Sequence, residues 1–359
     1  MMAPQVEEIQ KSEVPQAESP ALDPSCGCPL KAEAPETPQP PSGFAKRWGE
    51  WAHGHRETFD SPAGRLVFRN VAKTLVGVVP TVLAFNMVSH GFNAYNKSNF
   101  NGGIHKFLKG FTKVKLLEQG AYVFAGYTAF RSFCKVFQRN YDRIFAKADD
   151  ASKATQAIDH LPSNIVKDFR EIIGPEMIST AIAAFPLAAI RTGFRNGEPP
   201  LSGNMKQAIK GYPRDWLGSV VAYYAFFEPN DRIYNDITGG KDSGDYYKQL
   251  AGRPPVKHDD AAHKKYAFFT EDGPGRLIFR RGGELLIGMA SHIGLQRMAW
   301  AKFGQADPQK FGFLKNLAKE YGAYAGFSTY TGIAEIYNNA YDKLFDRLEA
   351  KEREKAGSR

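Results

Sequence analysis

The stretch "GRLVFRNVAKTLVG", Gly64 to Gly77, returns 211 residues later as "GRLIFRRGGELLIG", Gly275 to Gly288. Seven of the fourteen positions are identical. In both copies an acid, a small residue and a proline precede the apolar run, as "DSPAGRLVFR" and "EDGPGRLIFR". Capping side chains followed by a proline, which needs no N–H partner, are typical of a helix start. The sequence therefore predicts that one type of helix is used at least twice.

A second signature closes each helix pair and reveals a third copy. The endings read "NYDRIF" (Asn140 to Phe145), "PNDRIY" (Pro229 to Tyr234) and "AYDKLF" (Ala340 to Phe345). The middle unit lacks the opening stretch and is recognised by its ending. Self-similarity of this kind is the sequence mark of a repeat architecture. We predict three tandem helix pairs, at residues 60–150, 165–240 and 270–350.

The segments outside these repeats differ from them in composition. Residues 1–43 hold nine prolines and almost no large apolar residues. Such a segment cannot bury enough surface to offset its chain entropy, so we predict a disordered or extended arm. The remaining predicted segments are an amphipathic lead-in (44–59), a polar linker (241–269) and a charged tail (351–359).

The apolar windows favour a membrane protein over a soluble helical repeat protein, which is the open alternative. Residues 74–96 run for 23 positions without Asp, Glu, Lys or Arg, long enough to cross a bilayer. Small residues spaced four apart begin each second helix, which lets helix backbones approach closely in lipid. These predicted packing residues are Ala121, Ala125, Gly218, Ala222, Gly322 and Gly326. We predict an all-α fold, a pseudo-threefold six-helix transmembrane bundle built from three tandem helix-pair repeats.

The stretch "FPLAAIRTGF" (Phe185 to Phe194) places Pro186 and Arg191 at the proline and basic positions of a P-x-[DE]-x-x-[KR] pattern. With the three tandem helix pairs, this stretch resembles the mitochondrial carrier family, of which the chain would be a distant, degenerate member. Counted from the shared "GRL", Pro80 aligns with Ser291 at the family's kink position. The resemblance implies a six-helix carrier fold in the mitochondrial inner membrane.

The sequence departs from that family where its gate would be. Carriers of this family are understood to close with three acid–base pairs, one per repeat. No Asp or Glu occurs from Val71 to Ile104, from Met177 to Asn196 or from Leu285 to Ala306. Of the six gate charges the resemblance implies, only Arg191 is present. An alternating-access carrier needs a two-state element that its ligand can bias, so this gate would have to be built differently.

Charges at the helix ends form a second candidate set. Three acids, Asp142, Asp231 and Asp342, are each followed by a base, respectively Arg143, Arg232 and Lys343. They could form a ring between repeats in which each acid reaches the next base, or they could be solvated helix-end charges.

Within the apolar helices, Arg131 and Arg191 are the candidate cavity cations. An anionic metabolite in a low-dielectric cavity needs two or more converging cations. Either arginine could instead extend to an interface along its apolar stem.

Other chemistry receives little support from the sequence. The net charge of +9 suits either nucleic acid or an anionic membrane face, so charge alone does not decide between them. We expect the lipid bilayer, with anionic lipids, as the partner and no nucleic acid. Cys26 and Cys28 form a lone C-x-C without a second pair of ligands, so we expect no metal and no cofactor. Neither a nucleophile elbow nor a catalytic carboxylate pair lies in the apolar helices, so we do not expect an enzyme.

Three functions remain open. The first is a carrier-like membrane protein with a degenerate gate that acts as a structural or accessory subunit, its N-terminal arm reaching subunits of a larger membrane complex. The second is a solute carrier for a small anionic metabolite with altered gating. The third is a soluble or peripheral helical repeat protein that binds an anionic surface. We favour the first.

Overall fold

The computed structural model of the protein describes residues 41–100, 102–106, 115–195, 203–239, 261–270, 274–304 and 313–357. These residues are helical with short connections and contain no β-strand, which confirms the all-α prediction. In chain order the helices are α1 (Gly43–Gly54), α2 (Arg56–Asp60), α3 (Pro62–Lys97), α4 (Lys115–Tyr141), α5 (Ala151–Asp159), α6 (Leu161–Arg195), α7 (Met205–Lys210), α8 (Tyr212–Thr238), α9 (Ala261–Thr270), α10 (Gly283–Phe303) and α11 (Phe313–Gly357). The predicted arm, residues 1–43, lies outside the described residues as far as residue 40.

Six long helices, α3, α4, α6, α8, α10 and α11, contact one another in chain order. Each packs against the next, and α11 returns to pack against α3. The order of contacts therefore closes on itself. Two of these helices, at Pro62–Lys97 and Leu161–Ile190, are long and apolar enough to cross a membrane.

The predicted segment boundaries differ from the helix boundaries in four places. Helix α5 lies between the first two predicted repeats, and α6 begins four residues before the predicted start at 165. The predicted polar linker 241–269 contains all but the last residue of α9. Tyr266 and Phe269 of this helix pack against Phe345 of α11, with ring centroids 6.1 and 5.3 Å apart. The predicted charged tail continues α11 to Gly357.

The repeated opening stretch builds the same local structure twice. Helix α3 starts as predicted, with Pro62 in its first turn and the Ser61 hydroxyl accepting the Gly64 N–H at 3.0 Å. The chain then forms a π-helical turn at Arg65–Val71, and the second copy forms one at Leu277–Gly282 directly ahead of α10. π-Helical turns are rare and change which side chains face inward.

Both copies also use their glycines for close packing. Gly77 and Gly288 occupy the last position of the repeated stretch. A Cβ on Gly77 would come within 2.8 Å of the Phe130 ring, and a Cβ on Gly288 would overlap the Tyr330 ring. Phe130 and Tyr330 each lie twelve residues before the aspartate of their unit's ending. Equivalent positions therefore make equivalent contacts in the first and third units.

The long helices bury polar side chains and expose apolar ones. Each of the six has at least one buried polar or charged residue, for example Lys73, Arg131, Glu176, Asp215, Arg297 and Asn338. Each also exposes large apolar residues, for example Leu83, Phe133, Ile182, Val221, Ile287 and Ile336. These buried charges lie beside an apolar core. They are unusual for a water-soluble protein, in which charged side chains are almost never fully buried unless paired.

Candidate functional site: a buried charge network

The arginine of each opening stretch reaches the aspartate of the same unit's ending. Arg69 donates from Nε and Nη2 to the two carboxylate oxygens of Asp142, both at 2.7 Å, and the pair is buried. Arg280 makes the same bidentate contact with Asp342, from Nε at 2.9 Å and from Nη2 at 3.0 Å. Bidentate arginine–carboxylate pairs combine strength with fixed geometry. The repeated "GRL-x-FR" stretch thus supplies the base of an ion pair within a helix pair.

The middle aspartate, Asp231, has a different partner because its unit lacks the opening stretch. Arg131 of α4 donates to it at 2.5 Å and also donates through Nε to Glu176 of α6 at 2.9 Å. Lys135 makes a second ion pair with Glu176, which is completely buried. One carboxylate on α6 therefore holds two bases of α4, and Arg131 joins α4 to both helices of the second unit.

These contacts correct the expected ring of helix-end charges. The three aspartates pair with Arg69, Arg131 and Arg280 rather than with the next base in the ring. Arg143 instead pairs with buried Asp168 at 2.5 Å, and Arg232 pairs with Glu228 one turn earlier at 2.7 Å. Lys343 is exposed. Asp142 and Asp342 meet arginines of the two π-helical turns, whereas Asp231 meets Arg131 of α4. The endings alone indicate none of these partners.

A further polar cluster joins the first long helix to the last. The Asn70 amide nitrogen donates to Glu335 of α11 at 2.7 Å, and its oxygen accepts from Lys73 Nζ at 3.3 Å. When the Gln138 amide is oriented to suit its neighbours, its oxygen accepts from Lys73 Nζ at 2.7 Å and from Arg69 at 3.2 Å. Polar contacts thus continue from α4 through α3 to α11.

The third unit has its own cluster at α10 and α11. Arg281 forms an ion pair with Glu284, whose carboxylate also accepts from the Tyr330 hydroxyl at 2.6 Å and from the Asn338 amide at 3.1 Å. Glu284 is buried. Its carboxylate is therefore compensated on both oxygens, as a buried charge requires.

Near the C-terminal end of α10, Arg297 connects this helix to the second unit. It forms a buried ion pair with Asp215 of α8 and donates to the backbone carbonyls of Ala208 at 2.7 Å and Gln207 at 3.0 Å. The guanidinium takes the space next to Gly211, where a Cβ would overlap Nη2. Arg297 thus holds α7 and the start of α8 against α10.

A small cavity lies beside the network. Its volume is about 30 Å³ and its polar lining includes Lys73, Arg131 and Lys135. Phe130, Phe227 and Phe327 form its apolar side. A water needs roughly 10–15 Å³ of such volume, so the cavity has room for about two waters.

Aromatic rings fill the interior next to this cavity. Tyr127 lies 4.7 Å from Phe226 between ring centroids, and Tyr223 stacks on Phe227 at 5.3 Å. These rings belong to a buried cluster that also includes Leu187, Leu285 and Met289. Pairs at these distances add to the stabilisation from burial itself. The interior of the described region is therefore packed with side chains.

The other predicted cavity or gate residues take varied positions. Pro80 and Pro186 lie inside α3 and α6, and the Ser291 hydroxyl donates to the Gly288 carbonyl at 2.9 Å. Arg131 is buried in ion pairs rather than extended to an interface. The side chain of Arg191 lies outside the described part of the structure.

The predicted small-residue pairs contribute unequally to helix packing. Gly326 sits where a Cβ would lie 2.5 Å from the His292 carbonyl oxygen, so α10 and α11 approach closely there, whereas Gly322 has only ordinary contacts. Gly218 and Ala222 of α8 are buried. Ala121 and Ala125 are half-buried, and the close contact of α4 falls on Gly126, against the Phe85 ring.

Comparison with family models, curated proteins and solved structures gives no match to this chain. Within the described ranges, no three His, Cys, Asp or Glu side chains are grouped as metal ligands would be.

Proposed function

We propose that the chain is a carrier-like integral membrane protein that serves as a structural or accessory subunit of a membrane complex. In this proposal α3, α4, α6, α8, α10 and α11 form a transmembrane bundle of three helix pairs. The closed order of helix contacts and the equivalent ion pairs of the first and third units support it. The mitochondrial inner membrane is proposed from the family resemblance alone.

The observation that carries the proposal is the combination of buried, paired charges with large apolar side chains exposed on the same helices. In a bilayer, apolar side chains face lipid, while charged residues turn inward and pair with one another. Arg131 and Lys135 with Glu176, and Arg69 with Asp142, follow this pattern inside the bundle. Such inward charges lower the average hydropathy of a helix without preventing it from facing lipid on its other side.

The filled interior favours a structural role over transport. Four bases, Arg69, Lys73, Arg131 and Lys135, adjoin four acids, Asp142, Glu176, Asp231 and Glu335, so the network is balanced in charge. A balanced network attracts an anionic metabolite weakly. The adjoining cavity, of about 30 Å³, is also far below the size of a metabolite site.

We expect the full-length protein to stay in the membrane after alkaline carbonate extraction and to migrate in a complex much larger than a monomer on a native gel after mild solubilisation. Deleting residues 1–40 should leave the membrane insertion intact and reduce the size of the complex, if the arm binds the other subunits. Release by carbonate would overturn the membrane assignment and leave the soluble or peripheral repeat protein. A monomer-sized band for the full-length chain would contradict the structural role.

A second candidate function, transport of a small anion, is favoured by the three bases that line the cavity. If the protein is a carrier, purified protein in liposomes should take up labelled phosphate, and Lys73→Gln should abolish uptake. Lys97→Gln, at the exposed end of α3, is the matched control and should leave uptake unchanged. Absence of uptake by the unaltered protein would exclude phosphate carriage, and equal uptake by both variants would exclude the cavity as its route.

A further inference from the structure

Helix α1 packs on α5 through one narrow face of small residues. Ala45, Gly49 and Ala52 are buried in this contact. A Cβ on Gly49 would overlap the hydroxyl of Thr155 and would lie 2.6 Å from its Cα. The close approach of the two helices therefore requires glycine at this position, and it fixes the rotation of α1 about its own axis.

The fixed rotation turns a row of aromatic side chains outward. Phe44, Trp48 and Trp51 are 60%, 46% and 41% exposed. Their spacing of four and three residues places them along one stripe of the helix. Phe44 and Trp48 lie 5.9 Å apart between ring centroids, and Trp48 and Trp51 lie 5.3 Å apart. Large apolar side chains in such an exposed row are unusual on a surface that faces water.

The row continues without a break to the outer surface of the first long helix. Trp51 contacts Phe59 at 5.5 Å, and Phe59 contacts Phe68 of α3 at 4.5 Å. Phe68 and its neighbour Val67 are exposed, on the helix that also exposes Leu75, Val76 and Leu83. The aromatic ladder, defined as Phe44, Trp48, Trp51, Phe59 and Phe68, is thus continuous with the proposed lipid-facing surface of α3.

Helix α1 also carries exposed basic side chains. Lys46 and Arg47 lie between Phe44 and Trp48 in sequence. At about 100° per residue, Arg47 flanks the aromatic stripe, whereas Lys46 lies on the opposite side of the helix, next to Glu50, the acid of the same helix. Amphipathic aromatic rings partition to the headgroup region of a bilayer, and nearby bases are attracted to anionic lipids. Both kinds of side chain on α1 therefore suit the interfacial region of an anionic membrane.

From these contacts we infer that the aromatic ladder lies in the interfacial layer of an anionic bilayer and sets the depth of the bundle. The inference rests on the proposed membrane function and adds a surface and a lipid class to it. Helix α1 is then a peripheral anchor that lies along the membrane surface, while α3 crosses the membrane.

The four tryptophans of the chain allow a direct test. In the full-length double variant Trp216→Phe/Trp300→Phe, only Trp48 and Trp51 remain. We expect their fluorescence in liposomes to be quenched strongly by phospholipid brominated near the headgroup and weakly by phospholipid brominated near the chain end. Quenching should increase when anionic phosphatidylglycerol is included, and this increase should disappear in the added variant Lys46→Gln/Arg47→Gln.

The outcomes distinguish failure of the inference about the aromatic ladder from failure of the proposed membrane function. A double variant that resists carbonate but is quenched by neither brominated lipid overturns the ladder and leaves the membrane function intact. If such a variant is also shielded from aqueous acrylamide, protein rather than lipid covers the ladder, and residues 1–40 or a second copy become the occupant. Release by carbonate of the unaltered protein would instead remove the membrane function on which the inference rests.

Discussion

Glu176→Gln is expected to destabilise the protein by about 3–5 kcal/mol, the cost of removing one partner from a buried ion pair. Glutamine keeps the shape of the side chain and removes its charge. Arg131 and Lys135 would then stay buried with Asp231 as the carboxylate that Arg131 still contacts. Glu176 is completely buried, and the adjoining cavity has room for only about two waters, which cannot supply the lost negative charge.

The measurement is the Tm of the purified protein in detergent, followed by tryptophan fluorescence, with Glu228→Gln as the matched control. Glu228 pairs with Arg232 at 2.7 Å on the surface, where the arginine is 66% exposed. Exposed pairs of this kind contribute roughly 0.2–1 kcal/mol. A large fall in Tm for Glu176→Gln with almost none for Glu228→Gln is the expected pattern. Equal Tm values for the two variants would show that the buried network does not hold the helices together.

Gly64→Ala is expected to destabilise the protein by about 1–3 kcal/mol or more, the range for adding atoms to a packed site. The new Cβ would overlap the Thr58 carbonyl oxygen and would lie 2.7 Å from the Phe59 carbonyl oxygen. Backbone atoms cannot rotate away as a flexible side chain can. The equivalent change Gly275→Ala meets the Phe268 carbonyl oxygen and should have an effect of similar size.

Gly91→Ala provides the control in the same helix. Nothing lies within 4 Å of a Cβ at this position, which is exposed in α3. Alanine is better than glycine inside a helix by roughly 0.5–1 kcal/mol, so this variant should have a raised Tm. Opposite signs for Gly64→Ala and Gly91→Ala in thermal unfolding would establish that the first glycine is required for packing. A raised Tm for both would contradict the close approach of the chain at Gly64.

The all-α class and the opening of α3 were predictable because both depend on local signals. Ser61 and Pro62 start the helix through their own chemistry, and the repeated stretch marks a second helix of the same kind. The repeat also singles out the aspartates of the three endings as candidate charged-pair residues. Their partners were not predictable, because ion pairing depends on which helices adjoin, and the sequence does not indicate that adjacency.

Three residues illustrate the limit most clearly. Arg69 and Arg280 belong to the repeated stretch. An α-helix is the ordinary expectation for that stretch, and the sequence does not predict the π-helical turns from which these arginines reach the aspartates of the endings. Glu176 directly precedes the acid-free stretch from Met177 to Asn196. The absence of acids in that stretch gives no sign that a carboxylate at its edge pairs with Arg131. An arginine inside an apolar helix therefore indicates a partner carboxylate, which can stand at the edge of the acid-free stretch of an adjacent helix.

The contact between the first and last long helices has a consequence for biosynthesis. Asn70 in α3 meets Glu335 in α11, so 265 residues separate the two sides of that seam along the chain. Helix α3 emerges from the ribosome long before α11 is synthesised, so the polar face of α3 lacks its α11 partner during most of translation. If the bundle is inserted into a membrane, as proposed, the insertion machinery has to shield Asn70 and Lys73 until the final helix is made. Chains that terminate before α11 would leave Asn70 without Glu335.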